Sequence, residues 1–315
     1  MSSPRVVIIG PGAMGLLHAA RLVEAGFEVT LLDHNPRRAG RISRNGVRVE
    51  RMDAEVQLAI TGTARPEGIE PPDLILICVK SYGTPEAAQM AAWIPGDAPV
   101  LTLQNGLGNW EALAETLPIS RVLVGVTPSG ATLLGEGHVR EAGIGTIRLG
   151  APSGPRSSAE HAAAILNAGG LPAEVKDDIE AALWFKAMVN AAINPITAVT
   201  DLTNGELLAD ADLMKHAVAI AEEVAGIAEV CGIGLAAQLG GKSPGEVVAD
   251  VCRLTAQNRS SMLQDVTAGR RTEIESINGE IARRAAECGL RAPLCEEMVR
   301  QIHALVPADQ PSKRR

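Results

Sequence analysis

Aromatic residues are scarce. Two Phe, three Trp and one Tyr make up 2% of the 315 residues, so Leu, Ile, Val, Ala and Met must fill any core. No uninterrupted apolar run reaches the ~18 residues a membrane-spanning helix needs. No pair of the five cysteines (Cys78, Cys231, Cys252, Cys288, Cys295) has a C-x-x-C spacing, and free thiols in a reducing cytoplasm are the expectation. The six histidines are isolated, with no H-x-x-x-H cluster, so no metal centre is expected. The net charge is −8; without a basic face, nucleic acid is a poor partner. The N-terminus enters a strand at Arg5 without a basic region followed by an apolar stretch, unlike a signal peptide. There is no internal repeat or low-complexity tract. The polar stretch 307–315, ending Lys-Arg-Arg, is expected to fray as a disordered tail.

What is present is a globular composition of two-domain length. Short β runs alternate with helical stretches in the first half. Arg5–Gly10, Glu28–Asp33, Asp73–Lys80, Pro99–Leu103 and Val122–Val126 read as strands, with shorter candidates at Val47–Arg51 and Val56–Thr61. Helices fit Ala13–Ala25, Pro85–Trp93 and Asn109–Leu117. This alternation implies βαβ units and a doubly wound, mainly parallel sheet. After Gly130 recurrent glycines suggest an antiparallel hairpin closing the sheet, then a surface loop at Ala151–Ser158 and a helix and strand within His161–Val175. From Asp177 β runs disappear. Ile179–Val199, Ala211–Cys231, Pro244–Val266 and Glu273–Cys288 read as helices, the last with a Thr272-x-x-Glu275 capping box. The expected organisation is an α/β Rossmann-type domain over 1–176 and an all-helical domain over 177–306.

Gly10-Pro11-Gly12-Ala13-Met14-Gly15 matches G-x-G-x-x-G. It follows a hydrophobic strand, opens a helix, and precedes Asp33 at the end of the second strand. Gly10 permits the tight turn, Gly12 lets backbone approach a pyrophosphate, and Gly15 lets helix pack on strand. A glycine-rich turn without a ligand is the bland alternative. Asp33 favours NAD, since it could accept from a ribose 2′-OH and repel a 2′-phosphate. His34, Arg37 and Arg38 follow at once, and an Arg there could hold a 2′-phosphate or simply be solvated.

Lys80 and Asn105 should lie at the carboxyl edge of the sheet, where ligands bind in open α/β folds. A solvent-facing strand end and a plain Asn-Gly turn are the alternatives. Lys186, Asn190 and Asn194 recur at i, i+4 and i+8 in an otherwise apolar stretch and so share one helical stripe. Buried, a lysine there has its pKa lowered toward a range useful for proton donation; exposed, the stripe is a solvated face. Pro195 should bend or end that helix and free backbone carbonyls. Asn258, Ser261 and Asp265 form a second stripe. Glu273 falls just inside the next helix, where a carboxylate also suits the helix dipole.

Together these residues resemble the ketopantoate reductase family. The resemblance rests on GPGAMG, CVKSYGT around Lys80, LQNGLGN around Asn105, LWFKAMVNAAINPITA around Lys186 and NRSSMLQDVTAGRRTEIESINGEI. It implies a Rossmann domain plus a helical domain with the active site in the cleft between them. It implies reduction of 2-dehydropantoate to pantoate, in pantothenate and coenzyme A biosynthesis, by hydride from NADP(H); NAD(H) stays open because of Asp33. It further implies Lys186 and Glu273 as catalytic residues. Lys80, Asn105, Asn190, Asn194, Asn258 and Ser261 would line the substrate site. Gly10, Gly12, Ala13, Met14, Gly15, Asp33, His34, Arg37, Lys80 and Asn105 would line the cofactor site. The partner so implied is a small 2-keto acid; separately, and not from the resemblance, the helical half offers a surface for a homodimer. A paralogous reductase of another 2-keto acid and a non-catalytic nucleotide sensor are the competing readings.

Overall fold

A computed structural model describes residues 3–306; the tail expected to fray lies outside the described residues. The described chain forms two units. One holds the residues up to Gln104 together with Asn109–Ile179, the other Asn105–Gly108 together with the residues from Glu180.

The first unit contains, in chain order, β1 (Arg5–Ile9), α1 (Ala13–Glu24), β2 (Glu28–Leu32), α2 (Pro36–Asn45), β3 (Val47–Glu50), β4 (Glu55–Leu58), β5 (Thr61–Thr63), β6 (Leu74–Ile77), α3 (Thr84–Trp93), β7 (Val100–Thr102), α4 (Asn109–Ala114), β8 (Val122–Val126), β9 (Gly130–Gly135), β10 (His138–Gly143), β11 (Ile147–Gly150), α5 (Arg156–Ala168) and β12 (Ala173–Val175). Eight strands form one sheet in the order β12-β11-β8-β7-β6-β1-β2-β5. From β8 to β5 all neighbours are parallel; β11 runs antiparallel to β8. The strand order reverses at β1, which opens a crevice beyond its carboxyl end. Both faces are covered, which is why these strands are continuous apolar runs. Val6, Ile8, Leu74 and Leu76 pack with Leu16 and Ala19 of α1 and Leu166 of α5. Val7, Ile9, Ile75 and Ile77 pack with Ala87, Ala88 and Ala91 of α3 and Leu113 of α4.

The glycine-rich hairpin does not close this sheet. β9 and β10 join a separate sheet of order β4-β3-β10-β9. Its strands alternate, so only one face is apolar: Val47, Val49 and Val139 are buried in the cluster that includes α1. Arg51 pairs with Glu24 of α1 and Glu141 of β10, and Arg21 of α1 pairs with Glu141. The loop expected over Ala151–Ser158 is shorter, because α5 already starts at Arg156.

The second unit is helical: α6 (Ile179–Thr200), α7 (Asn204–Ala209), α8 (Ala211–Val230), α9 (Ala236–Leu239), α10 (Pro244–Leu254), α11 (Ser261–Thr267), α12 (Asn278–Glu287) and α13 (Pro293–Leu305). α6 starts at the last residue of the first unit and continues through Pro195. Proline has no N–H, so the Ala191 carbonyl loses its helical donor. The fully buried Asn278 side chain donates to that carbonyl at 3.2 Å. The carbonyl is freed as expected, but the helix does not end there.

The helix expected over Pro244–Val266 is two helices. Between them the carbonyls of Ala256 and Asn258 accept from Gly205 and Asn204 at the start of α7, at 2.9 and 3.0 Å. Ser260 then caps α11 by accepting from Leu263 N at 3.1 Å. The capping box at Thr272 is also absent. Thr272 accepts from Ile274 N at 3.4 Å, while Glu275 pairs with His303 at 2.9 Å. A short 3₁₀ turn, Ile274–Ser276, replaces the first helical turn, and Ile277 (φ −103°, ψ −90°) separates it from α12.

The expectation of five free thiols fails for two of them. Cys231 and Cys288 terminate α8 and α12, lie 5.8 Å apart at Cα and form a disulfide across 57 positions. Each is followed by a glycine that reverses the chain. That pairing depends on two helix ends meeting, which spacing alone does not reveal. Cys78, Cys252 and Cys295 are free. Among the described residues no helix is long and apolar enough to cross a membrane.

Candidate functional site

In the first unit the glycine loop sits at the carboxyl end of β1. Gly10 has φ +102°, and a Cβ there would lie 2.7 Å from the Val79 nitrogen. A Cβ on Gly15 would lie 2.1 Å from the Gly10 oxygen, so helix and strand meet only without one. Gly12 differs: a Cβ there would meet nothing within 4 Å. It is the N-cap of α1 and offers no side chain to the first N–H groups, leaving Ala13, Met14 and Gly15 to present backbone donors. A half-buried helix N-terminus without a side-chain cap, with its partial positive charge, fits a pyrophosphate. These residues therefore fit a dinucleotide.

At the end of β2, Asp33 is not the open acceptor expected from sequence. It is 2% exposed. Arg38 donates to both of its oxygens through Nε and, at 2.7 Å, a terminal nitrogen. Asn35 N donates to Oδ1 at 3.0 Å. Asn35 in turn caps α2 by accepting from the backbone of Arg37 and Arg38, and this turns Arg38 back onto Asp33. His34 and Arg37 remain exposed. The guanidinium neutralises the carboxylate and occupies most of its lone-pair positions. The α2 register that brings Arg38, rather than Arg37, onto Asp33 escaped the sequence reading.

Lys80 lies past β6, where the carboxyl edge was expected. Its carbonyl accepts from Gly83 N at 2.8 Å in a tight turn.

In the second unit Lys186, Asn190 and Asn194 follow one another along α6. Lys186 is partly exposed, and burial pushes its ammonium down to about 8 while the Glu273 carboxylate pulls it partly back up. Glu273 is 6% exposed and accepts from the Asn105 amide at 3.5 Å. The Asn105-Gly106 pair is more than a turn. Gly106 has φ +85°, and a Cβ there would lie 2.2 Å from the Ser276 carbonyl, while Leu107 N donates to the same carbonyl at 2.8 Å. The segment after Gln104 is thus laid against the 3₁₀ turn that carries Glu273. Three expected residues, Lys186, Glu273 and Asn105, are brought together.

The second expected stripe is dispersed. Asn258 is exposed in the link before α11, and Ser261 is exposed at its first position. Asp265 is buried and accepts from Arg270 at 3.0 Å. The buried hydroxyl is Ser260, which accepts from Thr197 at 2.8 Å. Nothing in the spacing distinguishes Ser260 from Ser261 when Pro244–Val266 is taken as one continuous helix.

A lysine that can exchange its proton near neutral pH, beside a carboxylate held by an amide, suits proton transfer at an oxygen gaining charge. Joined in one chain to a glycine-looped parallel sheet, it defines a dinucleotide-dependent oxidoreductase. Residues 6–154 match the family described as ketopantoate reductase PanE/ApbA, and residues 178–306 match its C-terminal part. The chain is 38% identical over 292 residues to a 2-dehydropantoate 2-reductase of Archaeoglobus fulgidus, covering 92% of this chain and 94% of that one. It is 36% identical to that of Halobacterium salinarum, with 92% and 95% covered. A solved D-mandelate dehydrogenase with NADH and anilino(oxo)acetate superposes with TM-score 0.87 at 27% identity, covering 96% of this chain and 98% of that one. The chain belongs to the ketopantoate reductase family.

Proposed function

We propose that this protein is a reductase that converts 2-dehydropantoate to pantoate with NADPH. The observation that carries the reading is the grouping of Lys186 with the buried Glu273, whose carboxylate accepts from the Asn105 amide. When bound, the nicotinamide supplies the hydride. The chain's own residues do the rest. Gly12, Ala13, Met14 and Gly15 hold the pyrophosphate against the start of α1. Lys186 stabilises the negative charge that develops on the keto oxygen and delivers the proton there. Glu273 keeps Lys186 charged and accepts from the product hydroxyl. Asn105 orients Glu273. Asn190 and Asn194 offer donors to the substrate carboxylate, with the exposed Asn258 and Ser261 as further polar groups of the second unit; Lys80, in the first unit, is a candidate polar group for the nicotinamide.

The preference for NADPH is supported by the Arg38 clasp. With Asp33 buried and neutralised, the groups left exposed beyond β2 are His34, Arg37 and part of Arg38. These favour a 2′-phosphate over a bare hydroxyl.

The test is NADPH consumption by purified protein on addition of 2-dehydropantoate, with NADH in parallel. Turnover with NADPH exceeding that with NADH supports the reading. No turnover on 2-dehydropantoate overturns it. The likeness to D-mandelate dehydrogenase favours one second reading, a reductase of an aryl 2-keto acid. That reading wins if a phenyl-substituted 2-keto acid shows the higher kcat/KM.

A further inference from the structure

Four buried polar side chains lie under the carboxyl edge of the first unit; three of them fall within the CVKSYGT and LQNGLGN stretches, yet the proposed chemistry uses none of them. Gln104 (7% exposed), Thr102 (1%), Thr84 (1%) and Asn109 (6%) form one network. Thr102 Oγ1 donates to Gln104 Oε1 at 2.9 Å. Gln104 Nε2 donates to the Val79 carbonyl at 3.0 Å and to Thr84 Oγ1 at 2.8 Å. Thr84 Oγ1 lies 2.7 Å from the Ser81 carbonyl and 3.1 Å from Asn109 Oδ1, its two acceptors. The amide of Gln104 is fully used: one oxygen accepts, and both hydrogens donate.

The position of this residue matters. Val79 immediately precedes Lys80, and Gln104 immediately precedes Asn105. Thr84 opens α3 and Asn109 opens α4. One side chain therefore fixes the peptide leading into Lys80, the turn closing after it, and the residue from which the Asn105 segment departs. Buried polar networks that are fully satisfied define a unique loop geometry, and functional groups on loops need such support to hold their position.

We propose that Gln104 is a positioning residue: its amide clasps the loop after β6 to the end of β7, and so sets where Lys80 stands for the hydride-transfer step. The proposal rests on the reductase reading above. Gln104→Met keeps length and bulk but removes the side-chain donor to the Val79 carbonyl and to Thr84 Oγ1 and the acceptor of the Thr102 hydroxyl.

The experiment compares wild type, Gln104→Met and Thr102→Val by hydrogen exchange, direct NADPH titration and steady-state kinetics with 2-dehydropantoate. In Gln104→Met, exchange rises in residues 79–84 and 104–109 while the rest of the unit keeps its protection. kcat falls by up to about 100-fold, the scale of loss that follows small misplacements. KM and the Kd for NADPH worsen by far less than kcat. Thr102→Val, which only loosens the amide, gives the same pattern more weakly and carries the test if Gln104→Met does not fold. Unchanged exchange in the two segments overturns the proposal. So does protection lost evenly across the unit with KM and kcat moving together. A wild-type protein that binds NADPH yet reduces no 2-keto acid overturns the reductase reading instead; the exchange result then decides the loop clasp by itself.

Discussion

Glu273 raises the proton affinity of Lys186, while burial of the ammonium lowers it further than Glu273 restores, so that Lys186 stands at about 8 rather than 10.5. Two opposed causes therefore set one group near neutral pH. Removing either moves it in a known direction.

The first prediction concerns that balance. Glu273→Gln removes the carboxylate that supports the charged form, so Lys186 loses its proton at lower pH. The alkaline limb of kcat for keto acid reduction is expected to shift downward from about 8, together with a fall in kcat. A pH profile of wild type and variant checks it; an unmoved limb contradicts it.

Lys186 is also a liability to the fold. An ammonium depressed from 10.5 to about 8 is protonated more readily in the unfolded chain, so its cost is full below about 8 and fades as pH rises from 8 to 10.5. Lys186→Met is expected to stabilise the protein by up to about 3 kcal/mol at neutral pH, with the gain shrinking through that window. Denaturant unfolding at neutral and alkaline pH measures it.

His18 behaves similarly at lower pH. It is fully buried beneath the glycine loop, with Nδ1 3.8 Å from Cys78 Sγ, and burial pushes it from 6.5 down to about 4. The unfolded state binds the proton first, so stability is full above 6.5 and falls as pH drops from 6.5 to about 4. The loss attributable to His18 is about 3 kcal/mol. His18→Leu should flatten the stability curve across this window relative to wild type.

The disulfide makes a separate prediction. Closing 57 positions corresponds to about 4 kcal/mol by chain entropy, an upper figure where strain intervenes. Reductant should lower the unfolding midpoint, and Cys231→Ser should reproduce the reduced midpoint and remove its response to reductant. Denatured but unreduced protein should titrate the three free thiols, Cys78, Cys252 and Cys295. A reductant-insensitive midpoint contradicts this.

Much of the architecture is legible because the relevant patterns are local. A strand buried on both faces, such as Leu74–Ile77, must be apolar throughout, and a loop like Gly10–Gly15 must lack side chains where backbones touch. The spacing of Lys186, Asn190 and Asn194 likewise follows from helical periodicity alone. What escaped depends on distant partners. The Gly130 hairpin joins β3 rather than the main sheet because both need the apolar side of α1. The helix expected across 255–260 yields because the start of α7 takes its carbonyls. Asp33 reads as an open acceptor until α2 turns Arg38 onto it. Gln104 reads as part of a turn until Val79, Thr84 and Thr102 converge on its amide.

The central claim is that Lys186 delivers the proton as the keto group is reduced. Rapid mixing of the NADPH-loaded protein with 2-dehydropantoate, followed by the loss of NADPH absorbance, reads that step directly. The account predicts a wild-type rate that declines as pH rises through about 8, and a Lys186→Ala rate slower by about 10²–10⁴-fold with NADPH still bound. A Lys186→Ala protein that transfers hydride at the wild-type rate contradicts it.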